Sequence, residues 1–413
     1  MTDETYEITL EKFIYGGEAM GRLPASEGGK FGRAVFVPFA LPGERVRIRL
    51  TFQKRGFARA RLLEVLEDSP ERIPPKCPHF GGCGHCAYQH IPYESQLRAK
   101  EEILRDQLIR IGKVKNPPVN EIIPSPEIWH YRNQMDFQLT DRRKQGISFP
   151  NILSITECHL PESTVNDFWT ELEFGENDLF ETISLRQDAA NNLMLIIHSD
   201  NPETPEMTLE TDLSVVHLTA GDAIVMGGDD HLVITLHNRP LRVSAASFSH
   251  PNTRVAEKMI THLLNTLPLT SDSTLIELFS GIGSFSAFLA PKVGRLVCIE
   301  ESPAACEDFG INLDEFENVE LYQAQAKDAL PSLDFTPDIL LADPPMGGLG
   351  RHTLDGILHL GAATLAYVSR DPSTLARDAA RLIKGGYRLD EVTPFDVAPQ
   401  TAQIDSISIF KKE

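Results

Sequence analysis

Four of the six cysteines in this 413-residue chain have a spacing that suits a shared metal centre. Cys77, Cys83 and Cys86 lie within one ten-residue stretch, and Cys158 follows in Thr156-Glu-Cys-His159. Glycines in the first stretch let the backbone turn so that several thiolates can point at one centre. Four thiolates suit an iron–sulfur cluster or a tetrahedral zinc ion, and the alternative is a set of buried, inert thiols. The spacing therefore predicts a metal centre.

A second group of residues, suited to binding a ligand, lies at the ends of three strand-like segments. Gly281 and Gly283 separate a strand pattern at 274–279 from a helix pattern, which would let a ligand approach the backbone closely. Glu300 ends the next strand, where a carboxylate can accept hydrogen bonds from both ribose hydroxyls. Asp343 ends a third strand, at the sheet edge where doubly wound folds bind ligands. A nucleotide-binding or vestigial pocket is the alternative, because any tight turn can contain two glycines.

Positive charge is concentrated near the start of an acidic chain. The formal net charge of −20 argues against broad non-specific binding to nucleic acid. Residues 30–61 nevertheless carry many cations and a single acid, Glu44, and Arg alternates with apolar residues over 45–50, as in a strand with one charged face. This segment predicts a local RNA-binding surface, and a solvated strand face is the alternative. The candidate contacts are Arg45, Arg47, Arg49, Lys54, Arg55, Arg59 and Arg61.

The elements that must position these groups predict an α/β protein in three parts. Short strand patterns with glycine turns at 5–67 are typical of a small β-barrel. A helical period covers 93–111, and 131–240 indicates a strand-rich α+β region. From 241 onward strands and helices alternate, as in a doubly wound parallel sheet. We expect an OB-like barrel at 1–68, a central α+β domain with the cysteine loop at 69–240, a Rossmann-like domain at 241–413, and packing of helix 93–112 on that last domain.

The expected cellular location follows from the lack of a membrane-spanning segment and of a signal-peptide pattern in this sequence. It has no apolar run close to the ~20 residues that cross a bilayer. Its first residues, Met1-Thr-Asp-Glu-Thr-Tyr6, have neither the charged nor the apolar part of a signal peptide. We therefore expect a cytoplasmic protein that contacts no membrane, in a compartment where clustered cysteines bind metals more often than they form disulfides. The sequence does not indicate an oligomeric state.

Taken in order, these motifs resemble those of the RNA uracil-5-methyltransferase family. The resemblance implies an N-terminal TRAM barrel, a [4Fe-4S] cluster on the four cysteines, and a C-terminal class I methyltransferase domain that uses S-adenosyl-L-methionine. It also implies RNA, either rRNA or tRNA, as the partner. The motifs that carry it are the cysteine loop with Tyr93-Glu-Ser-Gln-Leu97, Tyr131-Arg-Asn133, Phe248-Ser-His-Pro-Asn252, Leu278-Phe-Ser-Gly-Ile-Gly-Ser-Phe285, Asp343-Pro-Pro345, Tyr367-Val-Ser-Arg-Asp-Pro372 and Pro399-Gln-Thr-Ala-Gln-Ile-Asp405.

The resemblance also implies which residues hold the cofactor. They are those that occupy the family's motif positions around the glycine turn and the three strand ends. His250 replaces a glutamine of the family there, and it could donate a similar hydrogen bond. The full implied set is His250, Asn252, Glu277, Gly281, Gly283, Glu300 and Asp343.

The chain departs from the family at the residues that perform its chemistry. In the family a cysteine thiolate adds to C6 of uracil, C5 then attacks the methyl group, and a carboxylate removes the C5 proton. The cysteine position is Arg370 here, and a guanidinium stays protonated and cannot attack carbon. The base position falls on Asp405, one methylene shorter than the family's glutamate, and Asp343 is the other candidate base. Met346 follows the two prolines where the family has an arginine.

Two functions are compatible with these departures. The first is an S-adenosylmethionine-dependent RNA methyltransferase that does not use the cysteine adduct, which the retained glycines and carboxylates favour. The second is a catalytically inactive RNA-binding paralogue that keeps a cofactor-like pocket.

Overall fold

The computed structural model describes residues 4–24, 32–139, 145–149, 151–172, 182–199, 201, 203–204, 213–219 and 222–413. Within these ranges, none of the helices combines the length and the apolar character that crossing a bilayer requires. Three sheets and a hairpin follow one another along the chain, and each has its own apolar core or shares one with the helices packed on it.

The N-terminal strands close into a small barrel, as expected. Alternating residues explain the closure, because Val46, Ile48 and Leu50 point into the barrel while Arg45 and Arg49 point to solvent. The strands run in the order β1-β2-β3-β5-β4 around the barrel. They are β1 (Thr5–Phe13), β2 (Ala19–Arg22), β3 (Ala34–Val37), β4 (Arg45–Gln53) and β5 (Phe57–Glu67).

The central region contains helix α1 (Tyr93–Arg110) and a mixed seven-stranded sheet with the order β12-β11-β10-β9-β6-β7-β8. Helix α2 (Ser163–Trp169) covers this sheet, and the Trp169 ring packs 5.2 Å from that of Phe137. The strands are β6 (Gln134–Leu139), β7 (Gln145–Phe149), β8 (Asn151–Ser154), β9 (Thr182–Gln187), β10 (Leu193–His198), β11 (Ser214–Leu218) and β12 (Ala223–Gly227). A hairpin of β13 (His231–Leu236) and β14 (Arg239–Ser244) leads into the last part of the chain.

The C-terminal region is a doubly wound sheet, as the alternating pattern predicted. Its order is β17-β16-β15-β18-β19-β21-β20, and β21 alone runs antiparallel to its neighbours β19 and β20. The strands are β15 (Thr274–Leu278), β16 (Arg295–Glu300), β17 (Val319–Gln323), β18 (Ile339–Ala342), β19 (Thr364–Ser369), β20 (Tyr387–Phe395) and β21 (Asp405–Lys412). The helices are α3 (Thr253–Thr266), α4 (Ser286–Leu289), α5 (Pro303–Asn312), α6 (Ala326–Ala329), α7 (Gly350–Leu360) and α8 (Pro372–Lys384).

Helix α1 packs on the C-terminal region. Leu104 and Leu108 are fully buried in the same core as Leu375 and Ala376 of α8. On the neighbouring face, Lys100 Nζ lies 2.5 Å from Asp396 Oδ1 and both side chains are fully buried. The helix therefore connects the cysteine loop before it to the end of β20.

Candidate functional site

A sharp turn at the end of β15 forms one wall of the site. Gly281 and Gly283 have φ angles of 55° and 86°, a region that favours glycine. A Cβ atom on Gly283 would lie 2.3 Å from Leu313 Cδ1, so a side chain there would have to displace Leu313 as well as strain the backbone. The turn lies where the chain order of the sheet reverses between β15 and β18, which is the place where doubly wound folds bind ligands.

A cavity of about 370 Å³ opens beside this turn. That volume is enough for a small-molecule ligand. Polar groups from five separate segments of the chain line it, so the fold, and not a single motif, creates the site. Its charged and polar lining includes His250, Glu300, Asp343 and Arg370, and a second cavity of about 230 Å³ lies beyond Phe279 and Glu301.

Glu300 is held rigidly at the cavity wall. Its Oε2 accepts a hydrogen bond from Gly281 N at 2.9 Å, and its Oε1 accepts one from Ser302 N at 2.8 Å. Two carboxylate oxygens can together accept about four hydrogen bonds, so this geometry leaves acceptor capacity toward the cavity. The position therefore suits the ribose contact expected for Glu300.

Two of the other expected cofactor residues do not line the cavity. Glu277 is fully buried behind the turn, where Ser286 Oγ donates to its Oε2 at 2.5 Å, and burial raises its pKa to about 8. Asn252 caps helix α3 by accepting from Val255 N and donates its amide hydrogens to Ser125 Oγ and Val397 O. Both side chains therefore support neighbouring elements of the site and do not face the cavity.

His250 does face the cavity. Its Nε2 atom lies 4.0 Å from Asp343 Oδ2, and its side chain is 10% exposed. Burial, together with the nearby Arg370 guanidinium, lowers the pKa of His250 to about 3. The imidazole is therefore neutral at pH 7, with one N–H to donate and one nitrogen to accept.

The Arg370 side chain lies inside the cavity. Its Nη2 donates to Asp343 Oδ2 at 3.2 Å, and its guanidinium carbon lies 4.1 Å from the centre of the Phe248 ring. Burial raises the pKa of Asp343, while the guanidinium opposes that rise. Among the residues described, Asp343 Oδ1 and Arg370 Nε are buried without a hydrogen-bond partner. One unsatisfied acceptor and one unsatisfied donor thus lie on the residues of a single ion pair.

Asp405, the candidate base, is sealed from the cavity. Its side chain is 1% exposed, and Gln403 Nε2 donates to its Oδ1 at 3.0 Å. Burial raises the pKa of Asp405 to about 7. It begins β21 next to the end of β19, so it lies close to Arg370 without lining the space beside it.

Two contacts of the site were not foreseen from the sequence. The exposed Phe248 ring stacks on Arg370, and the Tyr15 hydroxyl of the barrel donates to Asp371 Oδ2, next to Arg370. Asp371 in turn caps helix α8 through Ser373 N and Thr374 N. Tyr15 and Asp371 are 356 positions apart, so no local pattern could have paired them.

The four candidate metal ligands surround one pocket. Cys77, Cys83, Cys86 and Cys158 all line it, and all four are free thiols. Burial raises the pKa of Cys86 to about 12 and that of Cys158 to about 11. No group of three or more His, Cys, Asp or Glu side chains in the described ranges is arranged to hold a metal ion as it stands. The structure thus brings the four cysteines together, and the metal centre stays a prediction.

Several cations of the barrel strands are paired with carboxylates. Arg45 bonds Glu7 and Glu67 at 2.9 and 3.0 Å, and Arg47 bonds the same Glu7 at 3.0 Å and also Glu64. Arg59 lies 3.1 Å from Glu18. Arg49 and Arg61 face each other across β4 and β5. Lys54 and Arg55 lie outside the strands, in the turn between β4 and β5.

Comparisons with known proteins agree with the fold. Residues 1–63 match the TRAM domain model, and residues 207–413 match the model for tRNA (Uracil-5-)-methyltransferase. An uncharacterized RNA methyltransferase of Aquifex aeolicus is 30% identical over 432 residues, which cover 100% of this chain and 99% of the relative. One of Porphyromonas gingivalis is 29% identical, covering 93% of this chain and 97% of the relative.

A solved structure shares the fold over almost the whole chain. The Pyrococcus abyssi tRNA (uracil-54, C5)-methyltransferase, in complex with S-adenosyl-L-homocysteine, superposes with a TM-score of 0.73 at 20% identity. The match covers 98% of this chain and 100% of that one, and it shows a shared fold. With the barrel, the doubly wound sheet and the two matching models in agreement, this chain belongs to the tRNA (uracil-5-)-methyltransferase family of RNA methyltransferases.

Proposed function

We propose that this protein binds RNA and S-adenosylmethionine and methylates an RNA atom that needs no activation by a thiolate. The observation that carries the proposal is the Arg370 guanidinium, which lies in the cavity where the family's sulfur would add to uracil. The remaining cysteines of the C-terminal region offer no substitute. Cys298 is fully buried against Ser286, and Cys306 lies on α5 outside the cavity lining.

The cavity supports S-adenosylmethionine as the cofactor. Glu300 can accept hydrogen bonds from its ribose hydroxyls, and the Gly281 turn allows its close approach. His250 and Asp343 face the same space and can contact polar groups of the cofactor or of the target base. The cofactor supplies an electrophilic methyl group.

An amine nitrogen is the acceptor class that suits the remaining groups best. Its lone pair can attack the methyl carbon directly, the carbon–sulfur bond breaks, and S-adenosylhomocysteine leaves. The nitrogen must also lose a proton, and Asp343 offers a buried, unpartnered carboxylate oxygen at the cavity. Asp405 is enclosed, so it cannot receive that proton directly. An exocyclic amine of a nucleobase is therefore the proposed target.

A catalytically inactive RNA-binding protein is the second candidate. The ion pair favours this candidate. The amine mechanism uses Asp343 alone as its base, and Arg370 already occupies one of the two oxygens of that carboxylate. In that case Phe248 and Arg370 would recognise a base without altering it. The two candidates differ in one measurable result, the transfer of a methyl group.

We also propose that Cys77, Cys83, Cys86 and Cys158 bind a [4Fe-4S] cluster. Their convergence on one pocket fits four-thiolate ligation, and the family resemblance favours iron over zinc. A cluster there would brace the cysteine loop. That loop is bonded to the C-terminal region, because Ala87 N and Tyr88 N both donate to Gln400 O.

The test combines cofactor binding with the detection of product. Calorimetry with S-adenosylmethionine should show binding, and incubation with tritiated cofactor and bulk rRNA or tRNA should label the RNA. Mass spectrometry of nucleosides from cells with and without the protein would then identify the methylated base. An amino-methylated nucleoside supports the proposal. If the protein binds RNA and cofactor but transfers no tritiated methyl group to the RNA, the result supports the inactive candidate. If it does not bind the cofactor, the result contradicts the proposed methyltransferase activity.

A further inference from the structure

The turn between β4 and β5 carries a cluster of aromatic rings with cations beside them. The Phe57 ring lies 5.7 Å from that of Phe36 and 5.9 Å from that of Phe52. Lys54 Nζ lies 5.4 Å from the centre of the Phe52 ring. Phe52 is 44% exposed, and with Phe36 and Phe57 it forms a cluster of three neighbouring rings. We call Phe36, Phe52, Lys54, Arg55 and Phe57 the hairpin tip.

The cations of the hairpin tip differ from those of the strands below it. Arg45, Arg47 and Arg59 are bonded to glutamates, so little of their charge remains for a phosphate. Within the described ranges, Lys54 and Arg55 form no ion pair. The nearby carboxylate, Glu4, accepts hydrogen bonds from Tyr6 Oη and Gln53 Nε2. In a chain with a net charge of −20, the hairpin tip therefore remains a place where an anion can dock.

We propose that the hairpin tip is a stacking platform for single-stranded RNA. Exposed aromatic rings next to cations are the combination that binds unpaired nucleotides, since rings stack on bases and cations contact phosphates. The RNA contact thus lies at the end of the β4–β5 hairpin and not on the arginine face of β4. The inference rests on the proposed function, because it takes RNA to be the substrate.

The hairpin tip lies far from the cavity. The loop after β1 reaches the cavity edge through Tyr15 and Asp371. At the other end of β1, Thr5 pairs with Arg49, and Phe52 and Lys54 lie beyond that pair. The nine residues of β1 span about 26 Å at about 3.3 Å per residue. An RNA strand that reaches both places must extend along the barrel, in keeping with the ~4–16 nucleotides that one OB-type barrel binds.

The test measures binding of the full-length protein to a fluorescein-labelled, 16-nucleotide single-stranded RNA of mixed sequence by anisotropy. Loss of one stacked base should weaken binding by about 5- to 150-fold in Phe52→Ala, and Phe52→Tyr should bind like the wild type. The double variant Lys54→Ala/Arg55→Ala should lower the salt slope of log Kd by about 1.4, or about 0.7 for each phosphate. The matched control Arg45→Ala/Arg47→Ala removes the same charge from paired positions and should change that slope little.

The outcomes separate this inference from the proposed function. If the wild type binds the RNA and the hairpin-tip variants bind it equally well, the inference is wrong while RNA binding stands. A larger loss in the Arg45/Arg47 control than in the tip variants would place the contact on the strand face instead. If the wild type does not bind the RNA at all, both fail. Equal thermal unfolding midpoints across the variants would show that the barrel itself is intact.

Discussion

Arg370 Nη2 donates a hydrogen bond to Asp343 Oδ2 at 3.2 Å, and the two side chains are 17% and 10% exposed. This ion pair joins Arg370, for which the family resemblance implies a nucleophilic cysteine, to the carboxylate at the end of β18. A guanidinium offers no lone pair to a carbon atom, so the pair holds a fixed cation at the position where the family resemblance implies a reactive sulfur. Any substrate that reaches Asp343 must fit beside this cation or displace it.

The first prediction concerns covalent adducts. Wild-type protein should form no stable adduct with RNA that contains 5-fluorouridine, because none of its cysteines lines the cavity. The variant Arg370→Cys places a thiol there and should form one, because the fluorine at C5 cannot be removed like the proton. Intact-protein mass spectrometry would detect the added mass. A wild-type adduct, mapped to Cys298 or Cys306, would contradict the central claim about Arg370.

The second prediction tests Glu300 as the ribose contact. Its carboxylate is held by Gly281 N and Ser302 N, and a charge-assisted hydrogen bond contributes ~1.5–3 kcal/mol. Glu300→Gln should therefore weaken binding of S-adenosylmethionine by about 10- to 150-fold in calorimetry. Glu307→Gln changes an exposed acid of α5 outside the cavity and should bind normally. Equal affinities in the two variants would remove Glu300 from the cofactor site.

The third prediction is a pH dependence of stability. Burial raises the pKa of Asp405 from 3.8 to about 7, so the folded state binds a proton between these values that the unfolded state has lost. The free energy of unfolding should therefore fall as pH rises from 4 to 7, by up to about 4 kcal/mol from this group. Asp405→Asn should stabilise the protein at pH 8 and change little at pH 4. Urea denaturation at both pH values would measure this, and equal effects at both would refute it.

The sequence was sufficient to predict elements but not the directions of side chains. Buried parallel strands form nearly continuous apolar runs, so segments such as Ile339–Ala342 were recognisable. A strand alternates its faces, however, and only the completed fold shows that Glu277 points behind the turn while Glu300 borders the cavity. The strand register determines which arginines form ion pairs, because Glu64 and Glu67 lie opposite Arg47 and Arg45 only when β4 and β5 pair.

Long-range contacts were beyond the reach of local patterns. The contact of Tyr15 with Asp371 and the stacking of Phe248 on Arg370 join segments that only the tertiary fold brings together. The cysteine spacing indicated that four thiols meet, and they do line one pocket, while the metal that they are predicted to bind stays a prediction. For Asp405, in contrast, the sequence indicated a candidate carboxylate but not its surroundings. It could not show that Gln403 and the neighbouring strands enclose that group.

The fourth prediction concerns the cysteine centre. Protein purified without oxygen should be brown and contain iron, and Cys86→Ser should lose the iron because Cys86 lines the shared pocket. Cys306→Ser removes a thiol that does not line that pocket and should keep the iron. Zinc in place of iron would overturn the cluster assignment. Retention of full iron content by Cys86→Ser would exclude this residue as a ligand.

The fifth prediction uses the ion pair between α1 and the end of β20. Lys100 Nζ contacts Asp396 Oδ1 at 2.5 Å and donates to Ala398 O at 3.0 Å, with both charged side chains fully buried. Lys100→Met leaves a buried carboxylate unpaired, which costs about 3–5 kcal/mol. Lys12→Met breaks a half-exposed pair with Asp106 and should cost less than about 1 kcal/mol.

The double variant Lys100→Met/Asp396→Leu separates the role of charge from that of packing. It removes both charges, so it should recover most of the stability that Lys100→Met loses in urea denaturation. Because Asp396 begins the segment that leads to Asp405, the single variant should also speed hydrogen exchange at residues 396–405. If the double variant is as unstable as Lys100→Met, packing around the lysine stem and the hydrogen bond to Ala398 hold this junction together, and the ion pair does not.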